Sequence, residues 1–281
     1  MTQQNAPVWF ITGSSTGFGY ELAKLLLDQG FRVVATARDK AKLSDLVKGH
    51  DGAALALALD VTDKKSVLAA VAAAETKFGR IDVLVNNAGY GYLAAIEEGE
   101  DGPVRQMFET NVFGLVEVTK AVLPGMRARR SGSIVNLSSI GGLISFAATG
   151  YYHATKFAVE GLSGSLALEL APLGIKVMVV EPGPFRTDFA GRSIVMSNTV
   201  IPDYAETAGI RRKQTAERNG KQQGDPIRAA QAIIDAVASP NSPAHLLLGA
   251  PALALARQDL AAKTQEFDAW EATTLGADYP L

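Results

Sequence analysis

The chain reads as an α/β protein, a single domain over residues 1–281 built on a doubly wound parallel sheet of about seven strands with helices on both faces. Three observations predict this. Short β-branched apolar runs alternate with longer amphipathic segments along most of the chain, the order that yields a parallel sheet covered on both sides. The first apolar run leads directly into a glycine-rich turn and a helix-like stretch, the opening of a nucleotide-binding unit. Glycines then close several of the later helical runs, where a left-handed residue ends a helix at no steric cost.

In chain order, the apolar runs predict strands at 8–12, 32–37, 54–59, 83–86, 133–137, 176–181 and 245–248. Apolar residues recurring at helical spacing predict helices at 18–29, 64–78, 104–129, 151–170 and 227–238, joined by right-handed crossovers. Gly30, Gly79, Gly132 and Gly174 are the expected C-terminal glycines. Residues 190–225 break the alternation: they are polar and carry Arg211-Arg212-Lys213 and Lys221-Gln222-Gln223-Gly224. An excursion after the sixth strand lies at the sheet edge where ligands bind, so it reads as a substrate lid, with a passive surface loop as the alternative. Its charged triplet, like residues 127–130, reads as a solvated face. Residues 253–270 have helical character and form a C-terminal extension over the sheet edge or a neighbouring subunit.

Composition removes several functions. Formal net charge is −2 with a pI near 6.0, so no overall positive field draws nucleic acid or an anionic membrane. Zero cysteines exclude a disulfide framework, a thiol nucleophile and thiolate zinc sites, and fit a reducing, cytoplasmic compartment. His50, His153 and His245 show no metal-ligand spacing, and no metal is expected. The first ten residues carry no secretion signal, and no apolar stretch approaches the roughly 18 residues needed to cross a bilayer.

Two motifs carry chemistry. In Thr12-Gly13-Ser14-Ser15-Thr16-Gly17-Phe18-Gly19, Gly13 allows a tight turn, Gly17 a close backbone approach to a pyrophosphate, and Gly19 close packing of helix on strand. The loop lacks the Gly-Lys-Ser/Thr ending of a nucleoside triphosphate site, which argues against phosphoryl transfer. Tyr152 and Lys156 stand four apart on a helix, so a phenol and an ammonium share one face. A neighbouring cation favours phenolate, which would lower the tyrosine from its usual pKa near ~10 and ready it for proton exchange. Tyr151 has threonine, not lysine, four residues on.

With these two motifs, Asp60-Val61 after the third strand, Asn86-Asn87-Ala88-Gly89 after the fourth, Asn111 in a helix, Ser138-Ser139 after the fifth and Pro182-Gly183-Pro184-Phe185-Arg186-Thr187 after the sixth, the chain resembles the short-chain dehydrogenase/reductase family. It is somewhat similar to the 17β-hydroxysteroid dehydrogenase-like group around Ala35-Thr36-Ala37-Arg38 and Leu246-Leu247-Leu248-Gly249. The resemblance implies a Rossmann-type fold and an NAD(P)-dependent oxidoreductase. It implies that Tyr152 exchanges a proton with the substrate oxygen. Lys156 tunes the phenol and holds the nicotinamide ribose, Ser139 (rather than Ser138) steadies the substrate oxygen, and Asn111 holds a water relaying protons to Lys156.

The implied cofactor-binding set is Gly13, Ser15, Gly17, Phe18, Gly19, Arg38, Asp60, Val61, Asn87, Ala88, Gly89, Tyr152, Lys156, Pro182, Gly183, Phe185 and Thr187. Arg38 at the tip of the second strand suits the 2′-phosphate of NADP(H) and favours it over NAD(H). If the register slips by one residue, Asp39 takes the ribose position instead. Asp60 and Val61 meet the adenine, or simply cap the next helix. Tyr90, Tyr92, Leu93, Phe146, Phe185 and Phe189 lie in loops at the strand ends and suggest an apolar pocket for a hydrophobic ketone or secondary alcohol. The resemblance also implies a homodimer or homotetramer, with Gly161, Ser163, Gly164, Ser165 and Ala167 small enough for close helix contact between subunits or, equally, for packing within one chain. An idle dinucleotide sensor and a redox-neutral enzyme on the same fold are the rival functions.

Overall fold

A computed structural model describes residues 6–279. Its main sheet is formed by β1 (Val8–Ile11), β2 (Arg32–Ala37), β3 (Ala54–Ala58), β4 (Val83–Asn86), β6 (Gly132–Leu137), β7 (Ile175–Pro182) and β9 (His245–Leu248). A separate pair joins β5 (Gly91–Leu93) to β8 (Ile194–Met196). The main sheet has the order β3-β2-β1-β4-β6-β7-β9, parallel at every pairing. Strand order therefore reverses between β1 and β4, which opens a crevice at their carboxyl ends.

The strands are buried on both faces, and successive side chains divide between two cores. Trp9 and Ile11 of β1 pack with Leu22 and Leu26 of α1 (Gly17–Asp28) and Ile233 of α8 (Pro226–Ala238). Val8 and Phe10 pack on the opposite face with Val67 and Val71 of α3 (Lys64–Phe78) and Val118 and Val122 of α5 (Leu115–Arg129). Each such side chain contributes about 1.5–3 kcal/mol by leaving water, so the period-two pattern of β1 fixes its rotation in the sheet. Local signals set the helix ends. Asp63 accepts from the Lys65 amide at 2.9 Å, and Gly79 ends α3 at φ 78°. Asp225 accepts from the Ile227 amide at 2.8 Å, with Pro226 opening α8.

A chain of amides crosses the interior. The Asn86 Nδ2 donates to Thr119 Oγ1 and to Asn136 Oδ1, both at 2.9 Å, and Asn136 Nδ2 donates to Ser163 Oγ at 2.8 Å. It links β4, α5, β6 and α6 (Gly150–Leu170).

Three features differ from the sequence expectation. The helix expected at 104–129 is α4 (Asp101–Phe108) and α5 separated by a π-helical turn, Glu109–Gly114. Asn111 sits in that turn and is held inward by Tyr90 and Thr155, which draws out the extra residue. Gly132 does not end α5. Arg130 does so at φ 52°, and Gly132 opens β6 because a Cβ there would come 2.5 Å from the Met126 sulfur. Residues 190–225 hold β8, α7 (Ile210–Arg218) and short turns rather than a featureless loop. The C-terminal extension is α9 (Ala250–Ala269), seated by Ala252 and Ala256 against Ile140 and Ile144, while its Leu260 and Phe267 are exposed.

Candidate active site

One cleft of about 1130 Å³ runs along the carboxyl ends of the strands. At its nucleotide end, β1 delivers Thr12, whose hydroxyl accepts from the Asn87 and Ala88 amides at 2.9 and 3.0 Å. Asn87 answers through Nδ2, donating to the Thr12 and Gly13 carbonyls at 2.9 Å. The glycine loop is thus tied to the end of β4. Gly13 at φ 71° leaves no room for a side chain, since a Cβ would lie 3.0 Å from the Ala88 Cα. Gly17 at φ 59° faces the open cleft, with only Thr187 near, at 3.8 Å from a Cβ built there. Thr16 makes no side-chain cap, so the first amides of α1 point into the cleft unpaired, a setting for an anion.

Ser15, Phe18, Arg38, Asp60, Val61, Ala88 and Gly89 line this end. Gly19 does not. A Cβ at Gly19 would come 2.4 Å from the Gly13 carbonyl oxygen, so the lack of a side chain there lets the helix pack close beneath the loop. Arg38 lines the cleft, whereas Asp39 turns away and caps the turn Lys40–Leu43 by accepting from the Ala41 amide at 3.0 Å. Asp60 accepts from the Thr62 amide and hydroxyl at 2.9 and 2.7 Å, and the next helix is capped by Asp63 instead.

At the middle of the cleft α6 begins, and its first turns carry Tyr152 and Lys156. Lys156 is buried and donates to the Leu137 carbonyl at 2.6 Å, with Nζ 5.7 Å from the centre of the Tyr152 ring. Burial lowers its pKa to about 8, against a small opposing pull from the Glu160 carboxylate. The Tyr152 phenol departs from the sequence expectation. Burial pushes it up to about 12, and the Ser139 hydroxyl pulls only weakly the other way. Desolvation of the phenolate outweighs the pull of a lysine already engaged by a carbonyl.

The two serines diverge. Ser139 lies beside Tyr152, with its hydroxyl accepting from the Gly141 amide at 3.1 Å, while the Ser138 hydroxyl is buried toward Glu160. Tyr151 donates to the Ile96 carbonyl at 2.7 Å and faces away from the cleft. Asn111 stands behind the wall. Its Oδ1 accepts from the Tyr90 amide at 3.0 Å, and its Nδ2 donates to the Tyr90 carbonyl at 2.8 Å and to Thr155 Oγ1 at 3.1 Å. A Cβ on Gly89 would meet Asn111 Oδ1 at 3.0 Å and Lys156 Nζ at 3.9 Å, so these groups converge on one small space.

Tyr90, Tyr92, Leu93, Phe146, Phe185 and Phe189, the residues expected to make an apolar pocket, all line this cleft, as do Pro182, Gly183 and Thr187; Phe185 stands edge-on to Phe18 at 5.1 Å near the glycine loop, and Phe189 lies 5.6 Å from Tyr152. Residues of β8 and α7, from the segment 190–225, also line the cleft. This segment is anchored by Glu98, whose carboxylate takes amide bonds from Ala95 and Ile201 at 2.8 and 2.9 Å and pairs with Arg212. Burial pushes the Glu98 carboxyl up, but Arg212 and the two amides outweigh it and hold it below the usual range.

Two groupings had no linear signature. Glu98 and Arg212 are 114 residues apart. Glu160, Glu181 and His245, from α6, β7 and β9, bring their ligand atoms within 4.8 Å of one another, with His245 Nδ1 2.6 Å from Glu181. Only Glu160, one helical turn after Lys156, offered a hint.

Comparisons with known proteins agree with this geometry. The family model for short chain dehydrogenase matches residues 7–196. Oxidoreductase BOA17 of Botryotinia fuckeliana is 38% identical over 96% of this chain and 98% of its own length. The 3-ketodihydrosphingosine reductase of Bacteroides thetaiotaomicron is 40% identical over 85% of this chain and 86% of its own. Among solved structures, a short-chain dehydrogenase from Streptomyces avermitilis superposes with a TM-score of 0.91 at 42% identity, covering 97% of this chain and 100% of that one. With a family model over most of its length, relatives along nearly all of it, and a glycine loop and tyrosine–lysine pair facing one cleft, the chain belongs to the short-chain dehydrogenase/reductase family, oxidoreductases that act on CH–OH groups with a nicotinamide dinucleotide.

Proposed function

We propose that this chain is a cytoplasmic, NADP(H)-preferring enzyme that interconverts a hydrophobic ketone and its secondary alcohol. The observation that carries the reading is that Ser139, Tyr152 and Lys156 line one cleft together, with Ser139 beside the Tyr152 phenol and Lys156 Nζ 5.7 Å from its ring, in the same cleft as an uncapped helix N-terminus. The donor set fits a dinucleotide: Gly17 leaves open space, the α1 amides are free for a pyrophosphate, and Arg38 has no ion-pair partner among the described residues. A cationic Arg38 in the wall, with Asp39 occupied as a cap, supports a 2′-phosphate there. When bound, the nicotinamide supplies or accepts the hydride.

The chain's own residues handle the proton and the charge. Tyr152 donates its proton to the carbonyl oxygen in reduction and takes it back in oxidation. Ser139 donates a hydrogen bond to the same oxygen and stabilises negative charge growing on it. Lys156, cationic below about pH 8, holds the ribose and favours the phenolate left behind. Asn111 orders the Tyr90 backbone and, through a water, refills the proton by way of Lys156. Residues 190–225 act as the lid. Exposed Phe113, Phe157 and Leu168 on the outer faces of the α5 and α6 region support a homodimer or homotetramer, which sedimentation would refute by reading a monomer.

The test is Tyr152→Phe. With NADPH and a panel of aryl ketones, kcat is expected to fall about 10²–10⁴-fold while the dissociation constant for NADPH stays within about twofold. Retained turnover, or loss of nucleotide binding together with rate, would refute the assignment.

A further inference from the structure

The lid end of the cleft is not only apolar. Arg211, Gln214, Thr215 and Arg218 fall on one face of α7, at spacings of three and four, and all four line the cleft. No carboxylate opposes them: the single acidic residue in the wall is Asp60, at the nucleotide end.

The two consecutive arginines differ. Arg212 turns into the protein and is neutralised by Glu98. Arg211 is half-buried and makes neither an ion pair nor a side-chain hydrogen bond among the described residues, and its Nε is enclosed without a partner. Its guanidinium lies 4.9 Å from the centre of the Phe146 ring. Phe146 stacks edge-on to His153 at 5.5 Å, and the His153 ring lies 6.1 Å from that of Tyr152, so a short run of neighbouring rings joins the cation to the phenol. Burial, then the Arg211 charge, holds His153 down to about 4, so His153 adds no second charge at neutral pH. Burial and Arg218 likewise press the Arg211 pKa downward, the sign of a cation whose counterion is missing.

A half-buried guanidinium with no counterion inside a binding cleft is unfavourable unless a ligand supplies one. We propose that the substrate is an oxo or hydroxy acid: a carboxylate, separated from the reacting carbon by a hydrophobic spacer of several carbons, pairs with Arg211 while the carbonyl reaches Tyr152. Gln214 and Thr215 give the carboxylate neutral donors, and Phe146, Phe189 and Leu255 enclose the spacer. The proposal rests on the ketone–alcohol reading and narrows it.

The test uses benzoylpropanoate and benzoylvalerate with their methyl esters, on the protein saturated with NADP⁺, which has no hydride to give and leaves the ketones unreacted. By calorimetry the acids should bind at least about tenfold tighter than the esters, the step expected of one charge-assisted pair. Arg211→Gln should erase that difference and leave ester binding within about twofold, and Arg211→Lys should restore part of it. Equal binding of acid and ester by the native protein, or an unchanged ratio in Arg211→Gln, overturns the proposal whether or not turnover is seen. Oxidation of NADPH by the esters reads the ketone–alcohol chemistry separately, since they lack the carboxylate.

Discussion

The two ends of the cleft are built differently. The nucleotide end is made largely of backbone: a glycine loop tied by Thr12 and Asn87, the bare first turn of α1, and residues leaving parallel strands whose places the sheet dictates. The lid end is made of side chains on an excursion held by a few long-range bonds, chiefly those of Glu98. Geometry of the first kind is a property of the fold. The second kind can be rewritten residue by residue.

The sharpest way to break this contrast is at Glu98. Its side chain is fully enclosed, and Glu98→Gln would leave Arg212 without its anion, a loss of about 3–5 kcal/mol for a buried pair. Limited proteolysis should open residues 194–225 first, with KM for substrate raised and NADPH affinity held. Simultaneous loss of both affinities would show that the two ends are one unit.

A smaller effect sharpens the nucleotide end. Arg38→Ala should raise KM for NADPH about tenfold, the equivalent of one charge-assisted contact, and leave NADH within about twofold. An equal change for both dinucleotides in steady-state assays would remove Arg38 from 2′-phosphate recognition.

The smallest effect concerns the carboxylates behind the wall. Burial, with Glu181 adding repulsion, raises the Glu160 pKa from 4.5 to about 7. The folded state therefore prefers the proton. Stability is greatest below about pH 4.5 as far as this group is concerned, falls as pH rises to about 7, and levels off above. Glu160→Gln should flatten that slope and raise Tm at pH 8 by about 3 °C, roughly 1 kcal/mol after allowance for partial solvent access. Because the Glu160 carboxylate supports the charge on Lys156, the alkaline limb of the reduction rate should also move to lower pH. Unchanged Tm–pH and rate–pH curves would contradict both.

Most of the fold was legible because strand and helix periods are local. The strand starts and ends agree with the expected ones to within a residue or so, and 64–78 is α3 as read. What escaped depended on contacts distant in the chain. The π-turn at Asn111 follows from Tyr90 and Thr155, 21 and 44 residues away in the chain. In the site, the spacing of Tyr152 and Lys156 placed them on one face but misjudged the phenol: spacing reports a neighbouring charge and not how dry the site is. The arginine run at 211–213 read as a solvated face because nothing local reveals Glu98 or Phe146.

The chain of amides from Asn86 through Asn136 to Ser163 has a bearing on how this protein could change. It clamps α6 several turns beyond the reactive pair, so that helix cannot roll about its axis without stranding polar groups in the interior. The orientation of Tyr152 and Lys156 is thereby decided in the middle of the sheet, out of reach of any alteration to residues 190–225. New specificities can be tried at the rim while the chemistry keeps its aim.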